Sequence, residues 1–245
     1  LSENTRTICR RRLIKADNKI NIAVDGPAAS GKSTTARLVA RALGYTYIDS
    51  GAMYRAVTLK ALRTAVPVTD VNEVARLAER IELAFGKGYE KTVIYLDGED
   101  ISLAIRTPEI DHEISPVAAN RLVREILVKK QQELGKDGGV VMDGRDIGTV
   151  VFPGAELKIF MIASVEERAS RRLKELEQKG EHIQFEEVAE EIRRRDREDT
   201  QRSHGPLKKA DDAVELDTTN LSIHQQVGII LQLAKSKITS PQEPF

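Results

Sequence analysis

Gly26-Pro27-Ala28-Ala29-Ser30-Gly31-Lys32-Ser33 is the stretch on which the reading of this chain turns. It satisfies the pattern G-x-x-x-x-G-K-S/T in full. With ordinary residue frequencies such a match arises by chance in about one chain per hundred of this length. Its flanks make it more specific. The apolar run Ile20–Val24 precedes it as a buried strand would, and Leu38, Val39, Ala42 and Leu43 follow at helical spacing up to Gly44. Glycines let the backbone curl until successive N–H groups point at phosphate oxygens, and a helix starting near Lys32 adds the positive end of its dipole. Lys32 is expected to reach the β- and γ-phosphates, and the Ser33 hydroxyl to ligate Mg²⁺. Gly26 through Ser33, with Thr34, form the expected phosphate-binding set. The expected ligand is ATP with Mg²⁺.

Working outward, four more short apolar runs read as strands: Tyr45–Ile48, Val140–Met142, Lys158–Ile162 and Val214–Leu216. Helical patterns separate most of them, which is the rhythm of a parallel sheet covered on both faces. The fold class expected is α/β, a P-loop NTPase fold with a five-stranded parallel sheet. Four of the five runs are followed by an aspartate: Asp25, Asp49, Asp143 and Asp217. Such sheets place their ligand crevice at the carboxyl ends of the strands, but aspartate is also a common turn residue. Residues 81–106 break the rhythm. Ile81, Leu83 and Phe85, then Val93 and Tyr95, alternate like antiparallel strands around Gly86 and Gly88, so a small β-rich insertion is expected there. Residues 165–208 read as charged helices. Ser164 and Glu167 make a capping box, and Gly180 stands where that helix would stop. This segment fits a mobile helical lid and fits a solvated helix pair equally.

The chain has 245 residues, 38 basic and 38 acidic side chains, 40% hydrophobic and 31% charged residues. This composition fits one sizeable folded domain and excludes wholesale disorder. Zero net charge argues against a dedicated nucleic-acid binder. No run approaches the roughly 20 apolar residues of a membrane helix. A single cysteine, Cys9, forms no internal disulfide, and the four histidines lack metal-ligand spacing, so a reduced cytoplasmic protein is expected. Residues 1–19 carry six basic against two acidic side chains and no apolar centre, so they read as a flexible basic extension better than as a secretory or organellar leader. Residues 238–245 read as a second tail. The main domain is expected at 20–237, with an insertion over about 50–118 and a lid over about 165–208.

Among phosphate-loop chemistries, the sequence contains neither the Asn-Lys-x-Asp guanine reader nor the Asp-x-x-Gly switch of a GTPase. A motor would end a hydrophobic strand in Asp-Glu. Here the strand runs instead into Asp143-Gly144-Arg145-Asp146. A small-molecule kinase is favoured. Holding two polyanions in line calls for arginines, whose planar forks grip phosphate bidentately. An anionic phosphate acceptor needs no strong general base.

These residues resemble the bacterial cytidylate kinase family, P-loop enzymes that move the γ-phosphoryl group of ATP to CMP or dCMP. The resemblance is carried by Ile22 through Thr34, by Asp49-Ser50-Gly51-Ala52-Met53-Tyr54-Arg55, by Asp143 through Pro153, and by Arg195-Asp196-Arg197-Glu198-Asp199. It runs from about Ile20 to Lys237. It implies that Ser50, Arg55, Arg145 and Arg202 grip the acceptor's α-phosphate region. Asp146 would accept from the cytosine 4-amino group, where uracil offers only an acceptor. It further implies that Arg124 and Ser115 complete the base pocket and that Arg195 and Asp199 meet the sugar. Lys32, Arg145, Arg195 and Arg202 form the implied catalytic set. The insertion would be the monophosphate-binding region, and the partners would be ATP and CMP or dCMP, bound by a monomer.

Alternatives remain at this point. Ser115-Pro116 also reads as the N-cap and first residue of a helix running through Val117, Leu122, Val123, Ile126 and Leu127. Arg195, Asp199 and Arg202 share one helix face, as a solvated salt-bridge ladder would, and Arg193 and Arg194 adjoin Arg195. The acceptor is open between CMP or dCMP and another small molecule: UMP, AMP or a shikimate-like hydroxyl. A nucleotide-dependent module using the basic tail on nucleic acid is the reading from a different class.

Overall fold

The computed structural model describes residues 19–86, 93–178 and 180–239. The basic extension, apart from Lys19, lies outside the described residues, as do Gly88, Lys179 and residues 240–245.

Five strands form one parallel sheet: β1 (Asn21–Asp25), β2 (Thr46–Asp49), β6 (Val140–Gly144), β7 (Leu157–Ile162) and β8 (Val214–Asp217), in the order β2-β6-β1-β7-β8. β1 lies at the centre, with Ala23 opposite both Met142 and Lys158. Successive residues of a strand face opposite sides, and the core divides accordingly. Ile22, Val24 and Val141 pack under α1 (Lys32–Leu43) and α8 (Ile223–Thr239). Ala23, Val140 and Met142 pack under α2 (Ser50–Arg63) and α5 (Arg121–Gly135). Burial on both faces is why these strands are continuous apolar runs rather than alternating ones. The expected sheet, its five strands and its two helical layers are all present. α8 runs on to Thr239, so Ile238 and Thr239 are helical.

The insertion holds α3 (Val71–Arg80) and a three-stranded antiparallel sheet, β3 (Leu83–Gly86), β4 (Val93–Leu96) and β5 (Glu99–Asp100). Gly86 pairs with Val93 at the edge of the described residues, and Asp97-Gly98 makes the tight β4–β5 turn with both residues at positive φ.

One helix assignment needs correction. Ser115 and Pro116 do not start a helix. They lie inside α4 (Pro108–Ala119), which begins upstream, where the Thr107 side chain accepts from Ile110 N–H and Pro108 takes the first helical position. The next helix, α5, starts at Asn120, whose side-chain oxygen accepts from the N–H groups of Leu122 and Val123. Pro116 falls in the final turns of α4, where a missing donor removes only one helical bond before the chain breaks anyway.

α6 (Val165–Glu177) and α7 (Phe185–Gln201) pair as a helical hairpin. Ser164 caps α6 by accepting from Glu167 N–H, but the expected capping box does not close: Ser164 N–H donates to Thr219 and the Glu167 carboxylate accepts from Arg171. Gly180 follows the helix end with φ 82°. The hairpin has its own small core of Ala169, Leu176, Val188, Ala189 and Ile192.

Candidate active site

The phosphate loop joins β1 to α1. Gly26 lies so close to β7 that a Cβ there would sit 2.3 Å from the Met161 carbonyl oxygen. Gly31, at φ 89°, caps α1 from the left-handed region. The Lys32 ammonium donates to the Pro27 carbonyl at 2.9 Å. Ser30 is fully buried, and its hydroxyl has no hydrogen-bond partner among the described residues. Its carbonyl accepts from Arg171 and from the Thr218 hydroxyl.

At the carboxyl ends of the strands, three of the aspartates do more than close turns. Asp25 accepts from the N–H groups of Ile147 and Gly148 at 2.8 and 2.7 Å, fixing the start of a π-type turn over Ile147–Val151. Burial pushes its carboxyl up to about 6. Asp49 caps α2 through Ala52 N–H and pairs with Arg106 at 2.8 Å. Asp143 accepts from Ser33 Oγ at 2.7 Å and from the Tyr47 hydroxyl at 2.6 Å. Burial, with Asp49 beside it, pushes Asp143 up to about 6. Burial, with Arg145 beside it, brings Lys32 down to about 7. Asp217 alone keeps the turn role, accepting from Thr219 N–H and Oγ1.

A cavity of about 650 Å³ opens between the loop, α2, α4 and α7, and all nine acceptor-side residues named from the sequence line it. Ser50 donates to the Asp143 carbonyl at 2.7 Å. Arg55 pairs with Asp111 at 2.6 Å. Arg145 donates to Asp199 at 2.5 Å; burial pushes the Asp199 carboxyl up, but Arg145, with Arg202 and Lys32, holds it below the usual range. Arg124 is buried on α5, over the Tyr54 ring and paired with Asp146. Burial keeps Asp146 raised despite Arg124 and Arg202 nearby, and it pushes the Tyr54 hydroxyl up to about 12. Arg202 donates to the Gly205 carbonyl at 2.5 Å and stands 3.8 Å from Asp146. Ser115 donates to Glu198 at 3.2 Å across the cavity.

Of the arginine run, Arg195 lines the cavity, while Arg193 and Arg194 are exposed and pair with Glu190 and Glu198. Arg195 is therefore inconsistent with a solvated ladder. A second cavity of about 630 Å³ adjoins the first and is lined by Gly31, Thr34 and the hairpin residues Arg172 and Ile192. Gly26, Pro27 and Ser30, named as phosphate-binding from the sequence, line neither cavity.

Sequence reasoning missed several residues. Asp111 on α4 faces Arg55, Arg172 and Arg195, at 2.6, 3.5 and 3.7 Å. Arg168 of α6 forks onto Asp196 of α7 at 2.9 and 2.7 Å and also reaches the Ala28 carbonyl of the loop. Arg106 lines both cavities. None lies in a motif, though Thr107-Pro108, a cap followed by proline, marks where Arg106 is held.

A family model described as cytidylate kinase matches residues 22–236. The chain belongs to the cytidylate kinase family. Among curated members, the cytidylate kinase of Bacillus cereus (strain ATCC 10987 / NRS 248) is 52% identical over 217 residues, 89% of this chain and 96% of that protein. That of Bacillus anthracis is 52% identical over 219 residues, 88% of this chain and 97% of that protein. The family assignment agrees with the resemblance carried by the loop and the Asp143–Pro153 stretch. Similar solved structures include that of TT1252 from Thermus thermophilus, 18% identical, with a TM-score of 0.47 and coverage of 91% of this chain and 99% of that one. Among the described residues no helix is long and apolar enough to cross a membrane.

Proposed function

We propose that this member of the family transfers the γ-phosphoryl group of ATP to CMP or dCMP, giving ADP and CDP or dCDP. The observation that carries the reading is the single cavity at the mouth of the phosphate loop into which six arginines project: Arg55, Arg106, Arg124, Arg145, Arg195 and Arg202. An oxygen of the acceptor phosphate attacks the γ-phosphorus, and the bond to the β,γ-bridging oxygen breaks. The acceptor is already an anion, so positioning and charge stabilisation suffice.

Lys32 and the loop amides hold the donor phosphates. Arg55 and Ser50 hold the acceptor phosphate from α2, Arg145 holds it from the end of β6, and Arg202 from the end of α7. Asp146, steadied by Arg124, reads the cytosine amino group, and Ser115 borders the base. Arg195 and Asp199 meet the sugar. The insertion over about 50–118 carries the acceptor, and the hairpin within 165–208 covers both nucleotides, excluding water that would hydrolyse ATP.

The Ser33 hydroxyl beside the Asp143 carboxylate is a pair of hard oxygen donors, which fits Mg²⁺ held chiefly by phosphates and water. When bound, the ion would supply charge neutralisation at the β- and γ-phosphates. The single cysteine and free nucleotide substrates fit a reducing cytoplasm, and the site is built within one chain, as a monomer requires.

A coupled assay with CMP, dCMP, UMP, AMP and shikimate tests the assignment. CMP and dCMP are expected to turn over fastest, and faster turnover of UMP or AMP would reject it. The Asp146→Asn variant keeps an acceptor for Arg124 but also gains a donor, so it is expected to narrow the CMP/UMP preference by about 10- to 100-fold, equal to about 1–3 kcal/mol. An unchanged ratio would remove Asp146 from base recognition.

A further inference from the structure

The two cavities share a wall made of Ala28, Ala29, Lys32, Ser33, Arg55, Arg106 and Arg195. Four of these belong to the phosphate loop, so the wall marks where donor and acceptor meet. Arg55 is committed to Asp111 and the Ile105 carbonyl, and Arg195 lies 3.7 Å from the same Asp111. Arg106 is differently placed. It ends a short 3-10 turn, Ala104–Arg106, pinned between the insertion sheet and the Thr107 cap of α4. One terminal nitrogen donates to Asp49 at 2.8 Å, while Nε and the other terminal nitrogen have no hydrogen-bond partner among the described residues. The side chain remains 47% exposed, toward both cavities.

Asp49 is shared between two tasks, one oxygen capping α2 and the other receiving a single nitrogen of Arg106, so the rest of the guanidinium stays uncommitted. The charge environment also points to the loop, since Asp49 and Asp143 act on Arg106 and on Lys32 alike. The structure therefore presents a guanidinium with two free donors at the junction, held in direction by a carboxylate that also orders the acceptor helix.

We propose that Arg106 is a further catalytic residue, a guanidinium that contacts the phosphoryl group during its transfer from donor to acceptor. This rests on the ATP-dependent nucleotide kinase reading above. In transfer, charge spreads over the three equatorial oxygens of the moving group. Lys32 meets that charge from the donor side, and Arg106 meets it from the acceptor side with the planar donors that lysine lacks. The contact exists only when the group lies between the two nucleotides, so it raises turnover rather than the affinity for either substrate.

The test is steady-state kinetics of Arg106→Ala and Arg106→Lys, with thermal unfolding and binding of ADP, CMP and the ADP–aluminium fluoride–CMP complex. Arg106→Ala is expected to lower kcat about 100- to 1000-fold, the usual loss for one preorganised donor. KM for ATP and CMP should stay within about threefold of wild type, and the fluoride complex should weaken by the same factor as kcat. Arg106→Lys keeps a counter-ion for Asp49, so it is expected to unfold like wild type while recovering less than about a tenth of the rate. Wild-type turnover by the lysine variant would overturn the proposal, because a charge beside Asp49 would then be all that is needed. So would a raised KM at unchanged kcat, or equal losses in separate ADP and CMP binding. If Arg106→Ala fails to fold, the lysine variant decides alone. A wild-type chain that does not phosphorylate CMP would refute the underlying reading instead, a distinguishable result.

Discussion

Arg168 is the place to test how the lid is held. Its side chain is 5% exposed, and its two terminal nitrogens fork onto the Asp196 carboxylate at 2.9 and 2.7 Å. Nε donates to the Ala163 carbonyl at 3.0 Å, and one terminal nitrogen also reaches the Ala28 carbonyl at 3.3 Å. One residue thus joins α6, α7 and the phosphate loop. Hydrogen bonds to charged groups contribute about 1.5–3 kcal/mol each, and breaking a buried pair costs about 3–5 kcal/mol. Asp196 is 25% exposed, so water recovers part of its share. Arg168→Met is therefore expected to cost about 3–4 kcal/mol.

The assay is urea unfolding of Arg168→Met, Asp196→Asn and the double variant. The double variant should cost less than the two singles together, leaving a coupling energy of about 2 kcal/mol. In a domain of this size the single loss corresponds to a melting temperature lower by about 6–16 °C. Function should follow stability, because α7 carries Arg195 and Asp199 to the cavity wall and Arg202 at its end. Turnover should fall in Arg168→Met even under conditions where the variant is fully folded. A coupling energy below about 0.5 kcal/mol would refute the reasoning, since the fork would then have no more weight than an exposed surface pair.

Lys32 offers a second test through pH. Its ammonium, lowered to about 7 in the nucleotide-free enzyme by burial and Arg145, regains its charge against bound phosphates, so binding takes up a proton. MgATP affinity is expected to fall about tenfold between pH 6 and pH 8, with about 0.9 proton taken up at pH 8 by calorimetry in buffers of unlike ionisation enthalpy; no uptake at pH 8 would exclude this. Gly26→Ala places a Cβ 2.3 Å from the Met161 carbonyl oxygen, whereas a Cβ at Gly154 meets nothing within 4 Å. Gly26→Ala is expected to lose about 2 kcal/mol or more in urea unfolding and to lose activity, and Gly154→Ala to stay within about 0.5 kcal/mol of wild type.

What was legible in the sequence follows from locality. Ile22, Val24, Val141 and their neighbours form apolar runs because each strand is buried on both faces, and the loop pattern is local by construction. Seven of the nine proposed acceptor-side residues were legible as cavity positions because they occupy two contiguous stretches and one helix face, whereas Ser115 and Arg124 came only with the family resemblance. Ser115 was misread because three caps compete within fourteen residues, Thr107 to Asn120. Thr107 with Pro108 and Asn120 took the roles, and nothing local ranks them above Ser115 with Pro116. Arg106 and Arg168 were not legible at all. Their partners lie 57 and 28 residues away, so the pairs are products of the chain's topology.

The same pairs explain how a chain of zero net charge gathers six guanidiniums in one cavity. Each faces a carboxylate in the absence of nucleotide: Arg55 and Arg195 face Asp111, Arg106 faces Asp49, Arg145 faces Asp199, and Arg124 and Arg202 face Asp146. Unpaired, these cations would repel one another within a partly dry space. Paired, they are aimed in advance, and all but Arg106 are already largely desolvated. An arriving phosphate therefore exchanges one anion for another instead of stripping water from bare cations. The net affinity is then a difference between two similar ion pairs. Discrimination passes to geometry, because a phosphate outcompetes the resident carboxylate only where its oxygens meet several forks at once. Salt weakens the pairs being broken as well as those being made, so this exchange leaves nucleotide binding less salt-sensitive than a naked arginine cluster would be.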